Sequence, residues 1–308
     1  MMTVLLIVPL LLPFALRPLS RRVLDRLAPA TALWALTCAA VTLAGCSLAA
    51  LGAFALTGLL KLPVFAVLGE LVHPLHTASD LFAVPAAALS AGALAVSTWA
   101  LVRWAVRQSR AFRTAQAEAG AHPTAGDLCI VDSPRPDAYA LPGRPHRIVV
   151  TTAMLRSLSA AEREALFAHE RAHNHGGHHY FLAAADLAAH CHPGLRTTRE
   201  AIRLATERAA DESAARVVGD RKLAARAIGR AALAARHTLA ERPAFTPAAA
   251  AGPVPQRVAA LMTAPRAPRT ASWICLLLLA CTAVSAGTAA TGVLAFHHDV
   301  EVAQGEER

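Results

Sequence analysis

Four stretches of this chain are apolar on every face a helix could present, and between the third and fourth the apolar positions become periodic. The continuous runs fall at about 3–16, 31–58, 81–102 and 271–297. A helix needs about 20 mostly apolar residues to cross the hydrocarbon core of a bilayer, which predicts spanning helices for the three longer runs. The first is shorter and holds Pro9 and Pro13. No positive charge precedes it, whereas Arg17, Arg21, Arg22 and Arg26 follow it. That asymmetry predicts an anchor with its N-terminus outside, not a cleaved leader.

The loops carry the same sense. Residues 61–80 hold one Lys, one Glu and one Asp, as expected outside, while Arg103, Arg107, Arg110 and Arg113 follow the third run and predict a cytoplasmic segment after it. The expected organisation is a membrane domain over 1–107, a cytoplasmic domain over 108–270, a fourth span over 271–297 and a short external tail over 298–308. A multi-pass protein of the plasma membrane follows from it.

Within the cytoplasmic segment the pattern changes repeatedly. A basic helix is expected over about 103–119, ended by "GAHPTAGD". Short β-rich runs at Leu128–Val131, Ala138–Leu141 and Arg147–Thr151, separated by Pro/Gly turns such as "LPGRP", predict a small sheet or hairpin. Ser159 and Glu162 form a capping-box pattern ahead of helix formers that stop at Gly176–Gly177, which predicts a helix of about four turns. Helical tracts follow at about 180–189, too short to span, and 195–218, and a further one runs beyond Gly219. A linker is expected over 242–255, with "PQRVAALM" as a last short helix. The fold class is therefore a mainly α membrane protein of about four transmembrane helices. An α+β domain, a small sheet plus helices, is inserted between the third and fourth.

Composition sharpens this. The chain is 55% hydrophobic but only 5% aromatic, so Ala, Leu and Val supply the apolar character. The net charge of +9 is spread through arginines on helices and at span ends, with no dense Lys/Arg run, and no nucleic-acid partner is expected. Cys38, Cys46, Cys275 and Cys281 lie in apolar runs and Cys129 and Cys191 in the cytoplasmic segment, with no C-x-x-C. Neither a disulfide framework nor a thiolate zinc site is indicated.

The chemistry sits in "LFAHERAHNHGG". His169 and His173 stand four residues apart, so on a helix they share a face one turn apart and can converge on one ion. Glu170 between them can reach a water on that ion and take its proton. Downstream, Glu207 and Asp211 repeat the one-turn spacing. They suit a third ligand and a carboxylate that orients a ligating imidazole. Ion pairs with Arg203, Arg208 or Arg216 are the alternative. His175, His178, His179, His190 and His192 exceed what one zinc site requires, and are expected to be solvent-exposed or to scavenge metal.

"AHERAH" followed by "ERAADESAARVV" resembles the membrane zinc peptidases of the BlaR/MecR antirepressor type, and more distantly the HtpX-like and CAAX prenyl endopeptidases. The four-span pattern with a zinc domain before the last span is similar as well. The resemblance implies a zincin-like metalloprotease domain holding one Zn2+ per chain on His169, His173 and Glu207. Glu170 would be the catalytic base and Asp211 the supporting carboxylate. "DAYALPG" is similar to the family's edge strand, which assigns Ala138, Tyr139 and Ala140 to substrate binding. The implied partners are the lipid bilayer and a cytoplasmic or membrane-proximal protein substrate, a transcriptional repressor among them. Sensor-type members carry a penicillin-binding domain after the last span; here about a dozen residues follow it, and β-lactam sensing is not expected.

Two other classes compete. A membrane metal-binding or transport protein would put such a motif inside a span, but Arg163, Glu164, Arg171 and His175 around it are costly in hydrocarbon. A catalytically silent signalling scaffold would have no need of Glu170.

Overall fold

The computed structural model describes residues 2–62, 64, 67, 80–237, 253–263 and 272–305. It is mostly helical. Four long helices carry the apolar runs: α1 (Met2–Arg26), α2 (Pro29–Leu59), α3 (Asp80–Ala121) and α10 (Ser272–Gln304, the last helix in the chain). Each is long and apolar enough to cross a membrane. α1 continues past the apolar run to Arg26 and keeps Pro9, Pro13 and Pro18 inside it. α3 joins the third run and the basic stretch in one rod of 42 residues, because no breaker stands between Val102 and Arg103. Most of the 61–80 loop, the linker up to Pro253 and the end of the tail lie outside the described residues.

After α3 the chain lays down β1 (Thr124–Ala125), β2 (Leu128–Val131), β3 (Ala138–Leu141) and β4 (Arg147–Thr151) in the order β1-β2-β4-β3. β2 runs parallel to β4, pairing Leu128 with Ile148, and β3 runs antiparallel to it, pairing Ala138 with Val150. β3 is thus an edge. Ile148 and Val150, fully buried, anchor the central strand.

Helices α4 (Thr152–Ser157), α5 (Ala160–His175), α6 (His178–Cys191), α7 (Arg196–Val218), α8 (Arg221–Ala234) and α9 (Val254–Met262) complete the domain. The Ser159–Glu162 capping box starts α5 as expected, each side chain bonded to the other's backbone N–H. Between α5 and α6, Gly177 takes φ +59°, a left-handed turn that glycine enters without steric penalty. α6 is core: Leu182, Ala185 and Ala188 are buried. One apolar cluster runs from Leu16, Leu19, Leu36 and Leu43 on α1 and α2, through Ile274 and Leu278 on α10, to Ala188, Leu195, Ile202 and Ala205. The inserted domain therefore shares a core with the spans and also holds the chain's polar centre.

Candidate metal centre

α5 and α7 pack against each other and bring their acid and imidazole groups face to face. His169, Glu170, His173, Glu207 and Asp211 are each at most 4% exposed. Burying so many ionisable groups is unfavourable unless they are paired or hold an ion. The two Nε2 atoms of His169 and His173 are 3.0 Å apart. Glu207 lies opposite them, Oε2 3.6 Å from His169 Nε2 and Oε1 3.8 Å from His173 Nε2. One ligand atom from each of the three residues falls within 4.8 Å of the other two.

This set fits a zinc ion. Nitrogens at ~2.0–2.1 Å from one tetrahedral ion stand roughly 3.3 Å apart, so the rings need only a small opening. The outer nitrogens are engaged in a way that leaves Nε2 facing the ion. His169 Nδ1 lies 3.0 Å from Asp211 Oδ1, and His173 Nδ1 lies 2.8 Å from His178 Nδ1. Such partners fix the tautomer and orientation of a ligating imidazole.

The electrostatics divide the two rings. Burial alone would lower the pKa of His169, but its hydrogen bonds to Asp211 and Glu207 outweigh that and raise it to about 9. His173 is lowered by its burial and by the neighbouring His169 and His178. His178 falls to about 4, again chiefly by burial, so it stays neutral and its Nδ1 can accept a hydrogen bond from His173. Burial pushes Asp211 up, yet the bonds from Arg257 and His169 leave it below the usual carboxylate range.

Glu207 and Asp211 do not pair with the arginines set against them in the sequence. Arg203 donates to Asp186 and Arg208 to the carbonyl of Leu24. Their cation is Arg257 on α9, fully buried. Its Nε and Nη2 donate to Asp211 at 2.8 and 2.6 Å, and Nη1 lies 3.0 Å from Glu207 Oε2. Sequence reasoning missed it, although a signal existed. Arg257 interrupts the apolar stripe of Val254, Val258 and Leu261 at helical spacing, which is where a buried, paired charge would show.

The surplus histidines, expected to be solvent-exposed, are mostly not. His178 supports His173 from a buried position, and His192, also buried, approaches the carbonyl of Leu10 at 3.0 Å. His190 sits 2.7 Å from the carbonyl of Asp186, half-buried, and only His175 of the set is exposed. Their rings meet backbone carbonyls and one another because α6 packs as core. On β3, Ala138 and Ala140 are buried and Tyr139 is half-buried. Ala138 packs with Val150, Met154 and Leu166, and β3 lies as the terminal strand of the sheet in contact with α5.

The family model described as peptidase family M48 matches residues 103–269, which include the sheet, α5, α7 and α9. No curated protein and no solved structure matches the chain.

Proposed function

The chain belongs to peptidase family M48, and on that premise, a membrane-type zincin metallopeptidase, we propose that it is an integral-membrane zinc endopeptidase acting on a cytoplasmic or membrane-proximal protein. The buried clustering of His169, His173 and Glu207 carries this reading. In it the three residues hold one Zn2+, and Asp211 orients His169 from behind. Zinc, when bound, supplies a Lewis acid that polarises the scissile carbonyl and brings the pKa of a coordinated water toward neutrality.

The remaining work falls to the protein. Glu170, between the two histidines on α5, accepts a proton from the attacking water and returns it to the leaving amine. The edge strand β3, at Ala138–Ala140, receives an extended substrate by main-chain hydrogen bonds. The antirepressor resemblance makes a transcriptional repressor the substrate to test first. The arginines after α1 and along α3 support an N-terminus outside the plasma membrane and a cytoplasmic peptidase domain. A transport role has less to stand on, since α5 is none of the four apolar helices.

The decisive comparison is wild type against Glu170→Gln, as purified full-length protein and in cells. We expect about one zinc per chain in both, with fragments of the substrate only in the wild type. Proteolysis that persists in Glu170→Gln rejects the mechanism, and zinc without turnover in the wild type favours a silent scaffold.

A further inference from the structure

Around the metal centre, three carboxylates (Glu170, Glu207 and Asp211) and two imidazoles are buried together with a single guanidinium. Removing charges from water is unfavourable by several kcal/mol each unless they are compensated. Arg257 contacts both Glu207, through Nη1, and Asp211, through Nε and Nη2, and His169 also meets both carboxylates.

From this geometry we infer that Arg257 is a positioning residue of the metal centre, clamping Glu207 and Asp211 into one unit so that both the ligand and the His169 partner are set before the ion arrives. The inference rests on the zinc reading above and deepens it. Arg257 holds the two carboxylates by hydrogen bonds and an ion pair, so its placing effect on the centre is exerted on Glu207 and Asp211. The fork geometry matters here. A guanidinium offers five donors in a plane and can serve both carboxylates at once, whereas a lysine ammonium keeps the charge but not the fork.

Charge and placement make opposite predictions. A buried cation acting only through its field repels Zn2+, so neutralising it should tighten zinc binding. A residue acting by placement should weaken binding when removed, because Glu207 then loses its fixed position. The test is zinc affinity by chelator competition on full-length protein in detergent, for wild type, Arg257→Lys and Arg257→Gln, with kcat and KM on a cleaved peptide. We expect both variants to bind zinc about 10–100-fold more weakly, the magnitude typical of lost outer-shell support. We also expect kcat to fall while KM holds. Circular dichroism of the zinc-free protein separates loss of fold from loss of placement. Arg257→Lys keeps a buried cation, so it decides the matter if Arg257→Gln unfolds. Wild-type affinity and turnover in Arg257→Lys, or tighter zinc in Arg257→Gln, overturns the proposal. Failure of the wild type to bind zinc instead overturns the peptidase reading, and the two failures are distinct.

Discussion

His178 shows how far a single side chain's role depends on what the fold brings to it. In the sequence it is one of several histidines past the metal motif; in the structure its Nδ1 meets that of His173 at 2.8 Å. With its pKa near 4 it is neutral, so it can accept a hydrogen bond from the Nδ1–H of a His173 ring whose opposite nitrogen faces the metal site. His178→Ala should therefore weaken zinc binding about tenfold, as measured by chelator competition, and His178→Gln should recover part of it by restoring an acceptor. Unchanged affinity in His178→Ala would make the contact incidental. His169 and His173 were legible because a local spacing dictates their shared face, and Glu207 with Asp211 because one helical turn separates them. Arg257 and His178 were not, since each reaches the centre only through tertiary packing, Arg257 from 46 residues beyond Asp211.

At the scale of elements, α5 is the part the rest is registered against. Its start is held by Ser159 and Glu162, and Glu162 also receives Arg230 from α8 at 2.9 Å. Burial pushes the Glu162 carboxyl up, but bonds from Ser159 and Arg230 outweigh it and leave it below its ordinary value. A carboxylate held down in the folded state contributes stability above its unfolded pKa and loses it as pH falls through the folded one. Ser159→Ala should lower stability by about 1 kcal/mol at neutral pH. It should also move acid unfolding to higher pH, because Glu162 would be held less firmly; thermal melts at pH 7 and pH 4 check both. Helix α5 was readable to its ends because cap and stop residues are local signals. The parallel pairing of β2 with β4 was not, since strand order depends on a crossover that short β-rich runs do not specify. The single rod of α3 was read as two pieces because the change from apolar to basic faces looks like a boundary while the backbone passes through it unbroken.

The whole molecule is joined by apolar contact where the sequence pattern suggested separate membrane and peptidase parts. Leu195, Ile202 and Ala205 of the inserted domain lie in the same buried cluster as Leu16, Leu36 and Leu43 of α1 and α2 and Ile274 of α10. Trp34 on α2 meets Phe181 on α6 edge-on, with ring centres 4.7 Å apart. Each large aliphatic side chain stripped of this cover forfeits about 1.5–3 kcal/mol. Leu195 and Ile202 together thus account for a sizeable share of the 5–15 kcal/mol typical of a domain. The span helices therefore act as one wall of the peptidase's own core. A fragment limited to 103–269 should aggregate or lack a cooperative melt, while the full chain in detergent stays monodisperse and melts with its zinc. Size-exclusion chromatography and circular dichroism on the two preparations distinguish the cases. A monomeric fragment with a sharp transition and wild-type zinc affinity would mean that the shared cluster is dispensable, and that the metal centre is held from within its own domain.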